Sequence, residues 1–217
     1  MFNSTLVPKQ RVIRRFFCTF LPFLVRKQKG TSTKEHWEAY PTDHFNEIGH
    51  ASMALLNELM ELVPDKQTSI LDMGCNVGRH LNYLYQQGYR NLRGVDFSGR
   101  AIEDMAIRYP DMHEASKLTV ASFQDYLSGS PKQVDLVYTR GATFELVPPS
   151  FPLIKQVCKI ARQYVVMCIS ETGHAYPRFW EYEFARNGFE LVHLRRPASS
   201  LAPDHKVSLL TFKRIDS

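Results

Sequence analysis

The sequence predicts an α/β protein with a seven-stranded, mostly parallel sheet, an antiparallel last strand and helices on both faces. From residue 69 onward, short apolar runs of strand length alternate with segments of helical periodicity, which is the pattern of a parallel sheet covered by helices. Residues 197–206 join the last two apolar runs and are too few for a helical crossover, so these strands should pair antiparallel. A basic helical extension precedes the sheet, and we therefore divide the chain into an N-terminal segment, 1–34, and one domain, 35–217.

The N-terminal segment 1–34 contains eight lysines and arginines and no acidic residue. Its apolar run from Phe16 to Val25 is ten residues long, about half of what a membrane span needs, and it contains Pro22. One interpretation is an amphipathic helix that contacts an anionic membrane surface through residues 9–29. The other is a helix that packs over the domain or covers its active site as a lid. The sequence leaves both interpretations open.

The charge distribution and the cysteine content exclude some classes of function for this protein. The net charge of +5 is concentrated in the N-terminal segment, and the rest of the chain holds 19 basic against 22 acidic residues. A nucleic-acid-binding enzyme should carry basic charge around its active site, so no nucleic-acid partner is expected. The four cysteines form no C-x-x-C pair, which predicts reduced thiols, a cytoplasmic location and no metal. Under the membrane interpretation, the protein is also peripheral at the membrane surface.

The elements of the domain follow from the position of their apolar residues. Residues 30–33 are a predicted linker, and a helix follows over 46–62, where Ile48, Leu55 and Leu59 keep helical spacing. The predicted strands are 69–73, 91–96, 117–121, 133–139, 163–170, 189–195 and 206–213. The predicted helices between them are 78–88, 98–109, 151–161 and 176–187.

The turn between the first strand and the next helix carries an unusual glycine pattern. A turn that binds dinucleotides needs G-x-G-x-x-G, so that a pyrophosphate can reach the helix N-terminus. This chain has Asp72-x-Gly74-x-x-x-Gly78 instead, with Asn76 where a middle glycine would stand. An acid that opens the turn repels phosphate and attracts an ammonium group. Asp96, at the tip of the second strand, is placed to accept from ribose hydroxyls, so the pattern indicates a nucleoside ligand that carries an ammonium group.

Residues 69–80 closely resemble the first motif of the Rossmann-like class I methyltransferases that depend on S-adenosyl-L-methionine (SAM), and residues 94–98 resemble their second motif. The resemblance covers roughly residues 66–213, with several motifs in the expected order. It implies SAM as the cofactor and S-adenosyl-L-homocysteine (SAH) as the product. Taken alone, the two glycines could also serve only to pack a helix tightly on the sheet.

The resemblance also implies a role for each residue at the carboxyl ends of the strands, where open parallel sheets bind ligands. Asp72 should accept from the SAM ammonium group and Asp96 from the ribose. Many relatives have an acid for the adenine amino group where this chain has Ser122. The remaining positions implied to contact the cofactor are Gly74, Cys75, Asn76, Gly78, Phe97, Ser98, Phe123, Thr139 and Trp37. Asp96 could instead cap the helix after Ser98, and the aromatic residues could belong to the core.

Methyl transfer from a sulfonium is an in-line displacement, in which the protein aligns and desolvates the reactants. A hydroxyl acceptor also needs a base that removes its proton. Our candidates for the catalytic residues are His174, Glu145 and Arg140. His174 follows the fifth strand, and its ordinary pKa range suits a base. It could equally be a loop histidine that contacts only substrate or solvent.

Residues 135–141 and 161–167 are loosely similar to methyltransferases of bacterial surface-sugar pathways. The chain departs from these after Gly141, where Glu145 lies in a stretch that replaces a histidine-containing one. The resemblance implies O-methylation of a glycan or another polar small molecule. The alternatives are N-methylation of a peptide, amine or modified amino acid, and a non-catalytic adaptor that binds SAM. The sequence leaves the oligomeric state open.

Overall fold

The structure is a computed structural model, and it describes residues 9–25, 47–141, 144–170, 175–201 and 207–215. Two predicted site residues, Trp37 and His174, lie outside the described residues, as does the predicted linker. No helix in these described ranges is long and apolar enough to cross a membrane.

One sheet of seven strands has the spatial order β3-β2-β1-β4-β5-β7-β6. Its strands are β1 Ile70–Met73, β2 Leu92–Asp96, β3 Lys117–Val120, β4 Val134–Arg140, β5 Ala161–Ser170, β6 Phe189–Arg195 and β7 Val207–Arg214. The first five strands pair in parallel. The last strand lies between β5 and β6 and runs antiparallel to both. The predicted mostly parallel sheet with an antiparallel last strand is therefore confirmed.

The described helices are α1 Lys9–Phe20, α2 His50–Leu62, α3 Arg79–Gln86, α4 Gly99–Arg108, α5 Pro110–Ala115, α6 Phe123–Ser128, α7 Leu153–Ile160 and α8 Trp180–Ala185, with short 3₁₀ helices at Pro22–Leu24 and Phe144–Leu146. Sequence analysis did not predict α5 or α6. The prediction that a helix begins at residue 176 was wrong, because α8 begins only at Trp180. Pro177 disfavours helical backbone at Tyr176, whose N–H donates instead to the Glu145 carbonyl, 2.9 Å away.

Apolar side chains cover both faces of the sheet, as a parallel sheet requires. Leu71 and Met73 of β1 pack into the layer formed with α7 and α8. Ile70 of the same strand packs into the opposite layer, formed with α2 and α3. Because side chains alternate along a strand, Asp72 lies on the face of Ile70 and so beneath α2 and α3. This alternation carries a carboxyl group into the apolar layer at the edge where the parallel strands end.

Candidate active site

Three residues of the turn after β1 have left-handed backbone, with positive φ angles. Gly74, Asn76 and Gly78 have φ angles of 89°, 48° and 75°. A Cβ atom on Gly78 would lie 2.7 Å from the Met105 side chain on α4, so that position needs glycine for both its backbone and its packing. The N–H groups of Gly74 and Cys75 both donate to the Val95 carbonyl, at 2.8 and 3.2 Å. These bonds hold the turn against the end of β2.

Asp96, the last residue of β2, stabilises the same turn through hydrogen bonds. Its two carboxylate oxygens accept from the backbone N–H groups of Asn76, at 2.9 Å, and Ser98, at 3.0 Å. Burial raises the pKa of Asp96, while these N–H groups oppose the shift because they favour the ionised form. The Ser98 side chain caps α4 by accepting from the Ala101 N–H. The cap position therefore belongs to Ser98, and Asp96 precedes it at the edge of the sheet.

Asp72 is deeply buried, with 1% of its surface exposed. The Tyr138 hydroxyl donates to Asp72 Oδ2 at 2.8 Å, and Oδ1 has no hydrogen-bond partner among the described residues. Burial raises the pKa of Asp72 to about 7, the Tyr138 hydrogen bond opposes this shift, and the charge of Asp96 adds to it. A buried oxygen without a donor costs about 1–3 kcal/mol, so this carboxyl group is suited to a cationic or donor ligand.

Two further residues at the start of α3 lie near this carboxyl group and were not predicted from the sequence: the charge of Arg79 acts on Asp72, and the His80 ring contacts Tyr138, with 6.4 Å between centroids. The Arg79 Nε group donates to the His80 ring at 3.3 Å, and Arg79 Nη1 donates to the Glu47 carbonyl at 2.9 Å. Burial and the charges of Arg79 and Arg140 lower the pKa of His80 to about 3, so His80 is neutral. A basic pair directly after Gly78 was the available signal, because helix residues next to such a turn face the sheet edge.

The end of β4 reaches the same edge. Thr139 is buried, and its hydroxyl donates to the Met73 carbonyl at 2.9 Å, which ties β4 to the last residue of β1. The Arg140 Nε group donates to the Ser52 hydroxyl on α2 at 3.2 Å. Arg140 is also close enough to Arg79 for its charge to lower the pKa of that guanidinium, after the larger effect of burial. The structure thus places Arg140 near Arg79, whose charge in turn acts on Asp72.

The predicted adenine contacts lie at the ends of β2 and β3. Ser122 caps α6, since its hydroxyl accepts from the Asp125 N–H at 3.1 Å and donates to the Asp125 carboxylate at 2.6 Å. Phe123 makes an edge-to-face contact with Phe144, with 6.1 Å between ring centroids. Phe97 and Phe123 are half-buried, so both keep part of their rings accessible at this edge.

Glu145 is buried and lies in the 3₁₀ helix that follows β4. Its backbone carbonyl accepts from Tyr176, in the segment between β5 and α8. Cys18 of α1 is buried nearby, where it experiences the charges of Arg14, Arg178, Glu183 and Glu145. Arg140 is the last residue of β4, and Glu145 follows the carboxyl end of that strand. The described residues contain no group of three His, Cys, Asp or Glu side chains that could hold a metal ion.

Comparison with known proteins shows which proteins this chain is similar to. Residues 70–163 match a family described as a methyltransferase domain. No curated protein matches the chain at a significant level. Many solved structures do, at low sequence identity.

Three of these solved structures show how varied the similar enzymes are. A 1,6-didemethyltoxoflavin-N1-methyltransferase from Burkholderia thailandensis has a TM-score of 0.62 and 16% identity, with 80% of this chain and 82% of that chain covered. A magnesium protoporphyrin IX methyltransferase from Synechocystis, with bound SAM, has a TM-score of 0.60 and 12% identity, with 97% of this chain and 99% of that chain covered. A TehB-like SAM-dependent methyltransferase from Corynebacterium glutamicum has a TM-score of 0.59 and 19% identity, with 79% of this chain and 91% of that chain covered. At these identities the likeness concerns the fold.

Proposed function

We propose that this chain, which is a SAM-dependent methyltransferase with the class I fold, methylates a hydroxyl group of a glycan or another polar small molecule. The observation that carries the choice of a hydroxyl is the buried Glu145 carboxyl group after β4. A hydroxyl loses a proton as its bond to the methyl group forms, so it needs a base at that edge of the sheet. A nitrogen acceptor with a lone pair does not have this requirement.

The residues at the turn fit SAM in charge and in hydrogen-bonding capacity. SAM supplies a methyl group that its sulfonium already activates. We assign Asp72 to the ammonium group of SAM, because its Oδ1 atom is buried without a donor among the described residues. Asp96 would accept from the ribose hydroxyls, since each of its oxygens can take a further donor besides Asn76 or Ser98. The other proposed contacts are Gly74, Cys75, Asn76, Gly78, Phe97, Ser98, Ser122, Phe123, Thr139 and Trp37.

The acceptor side of the proposal rests on three residues. Glu145 would take the proton of the acceptor hydroxyl, and exclusion of water around it would strengthen that interaction. Arg140 would orient a polar acceptor by its charge, with its guanidinium held by the Ser52 hydroxyl. His174 stays a predicted catalytic residue, because it lies outside the described part of the chain.

SAM affinity should depend on pH through Asp72. The pKa of Asp72 in the free protein is raised to about 7, and only the ionised form attracts the ligand's ammonium group. We expect affinity to rise between about pH 5.5 and 7.5, to level off above that, and to fall by up to about tenfold for each pH unit below 7. Binding near pH 7 should release a proton, which calorimetry in buffers of different ionisation enthalpy measures.

Tyr138→Phe is the matched control for this pH dependence. The Tyr138 hydroxyl stabilises the ionised form of Asp72, so its removal should move the midpoint of the affinity curve to higher pH. An affinity that stays constant from pH 5.5 to 7.5 in both proteins would remove Asp72 from the binding site.

Glu145→Gln should lower kcat for a hydroxyl acceptor by about 100-fold or more, since an amide cannot accept the proton. Its dissociation constant for SAH should stay within about threefold of the wild type, because the cofactor contacts are unchanged. The measurement is transfer of labelled methyl groups to a panel of glycans, small alcohols, amines and peptides, with His174→Ala run beside it. Full turnover of hydroxyl acceptors by the Glu145→Gln protein would contradict the proposed role.

The same panel separates the alternative functions. Preferential labelling of amines or peptides would favour an N-methyltransferase, a class to which the structurally similar didemethyltoxoflavin enzyme belongs. SAH binding without turnover across the whole panel would favour a non-catalytic adaptor. Labelling of hydroxyl groups that depends on Glu145 would support the proposal above.

A further inference from the structure

Helix α1 is packed on the domain with its apolar side facing outward. Surface helices of globular proteins normally bury their apolar stripe and expose their charges. In α1, the Arg14 Nε group donates to the Ala175 carbonyl at 2.8 Å, and the Thr19 hydroxyl accepts from the Phe179 N–H at 3.0 Å. Cys18 is buried between these two contacts. The side of α1 that faces the domain therefore holds Arg14, Thr19 and the buried Cys18 thiol, which packs with Ala175 and Tyr176.

The opposite side of α1 and the 3₁₀ helix after it expose large apolar side chains. We call this surface the α1 apolar face; it consists of Val12, Ile13, Phe16, Phe17, Phe20, Phe23 and Leu24. Its aromatic rings are contiguous, with centroid distances of 5.1 Å for Phe16–Phe20 and 4.8 Å for Phe20–Tyr182. Exposed apolar surface of this extent indicates a site that another apolar surface covers.

The charges around the α1 apolar face identify the kind of surface. The first 34 residues contain eight lysines and arginines and no acid, and in the sequence these cations stand both before and after the apolar residues of the face. Cations beside an apolar helical face match the headgroups and acyl chains of an anionic bilayer. Two copies of this chain that met through the face would instead bring their cationic segments together, which costs free energy.

We propose that the α1 apolar face docks on an anionic membrane surface, with the phenylalanines inserted at the headgroup boundary and the flanking cations on anionic lipids. Helix α1 has 12 residues and ends before Pro22, so it lies in the interface and does not span the bilayer. Its contacts with Ala175 and Phe179 hold the domain against the bilayer. The segment that carries these contacts also donates to the Glu145 carbonyl, so docking brings this edge of the sheet close to the lipid.

The test is flotation of the full chain with vesicles of phosphatidylcholine that contain or lack phosphatidylglycerol. The triple variant Ile13→Gln, Phe16→Gln, Phe23→Gln removes side chains that are 58%, 48% and 76% exposed, so the fold should persist. The matched control, Ile107→Gln, Val120→Gln, Ile215→Gln, removes exposed apolar side chains elsewhere. SAH titration of both variants reports whether each is folded and keeps its cofactor site.

The wild type and the control variant should float with the anionic vesicles, and the partition coefficient of the α1 variant should be lower by about tenfold or more. Binding should weaken as NaCl rises from about 0.1 to about 0.5 M. Failure of the wild type to float, or equal flotation of the α1 variant, would overturn the proposal. If the wild type does not float and the α1 variant alone dissociates a dimer, the face is a protein interface instead. SAH affinity is expected to be unchanged throughout, so this result is independent of the proposed acceptor.

Discussion

Replacing Asp72 by asparagine is expected to weaken the binding of SAM and SAH by about 100-fold. The amide keeps the size of the side chain and can still accept the Tyr138 hydrogen bond. It removes the negative charge that we assign to the ligand's ammonium group, next to the Oδ1 atom to which the described residues supply no donor. Calorimetric titration with SAH measures the change.

The fold should tolerate this substitution, which makes the result interpretable. Burial disfavours the ionised form of Asp72 and raises its pKa to about 7, so a neutral amide should not lower the free energy of unfolding at pH 7.5. Asp135→Asn is the matched control. Asp135 binds Ser69 and Arg162 at the opposite end of β4, and these bonds hold its pKa below the usual value. That variant should lose some stability above about pH 4 and keep its SAH affinity.

Asp96→Asn should have the second large effect, a loss of about 30-fold to 100-fold in SAH affinity. The carboxylate accepts two backbone N–H groups and would accept the ribose hydroxyls as well, and an amide nitrogen can do neither. The loss therefore combines a weaker ribose contact with a less constrained turn at Asn76.

A truncated ligand separates the roles of the two acids. 5′-Methylthioadenosine keeps the ribose and the adenine but lacks the amino-acid part. We expect Asp96→Asn to weaken its binding about as much as that of SAH, and Asp72→Asn to change it by less than about threefold. If both variants lose this ligand equally, one of the substitutions acts through the general structure of the turn, and the assignment of separate roles is wrong.

The sequence was sufficient for features that depend on local periodicity. Apolar runs of strand length placed Asp72 and Asp96 at the ends of neighbouring strands, and the structure pairs these strands in parallel with Asp72 beside Gly94. The short loop at residues 197–206 was enough to predict the antiparallel last strand, because no crossover fits into it.

Features set by contacts between distant segments could not be predicted. Tyr138 meets Asp72 because β4 pairs with β1 in one particular register, which no local pattern encodes. The outward orientation of the α1 apolar face likewise depends on what the opposite side of the helix contacts, namely the segment that contains Ala175 and Phe179.

The sequence also contained the signal of a helix cap at Ser122, which was interpreted as part of the ligand site. Ser122 and Asp125 have the spacing of a helix cap, and the structure shows that cap at α6. From the sequence, Ser122 was expected only as an adenine contact. Its hydroxyl already bonds to the N–H and the carboxylate of Asp125, so any contact with a ligand would compete with these bonds.

The turn after β1 is expected to show selectivity for a ligand with an ammonium group and a ribose over a dinucleotide with a pyrophosphate. Calorimetric titration of the wild-type protein with SAH and with NAD, under the same conditions, tests it most directly. We expect SAH to bind to one site per chain at about micromolar concentrations and NAD to give no binding heat. Binding of NAD as tight as that of SAH, or no binding of SAH, would contradict it.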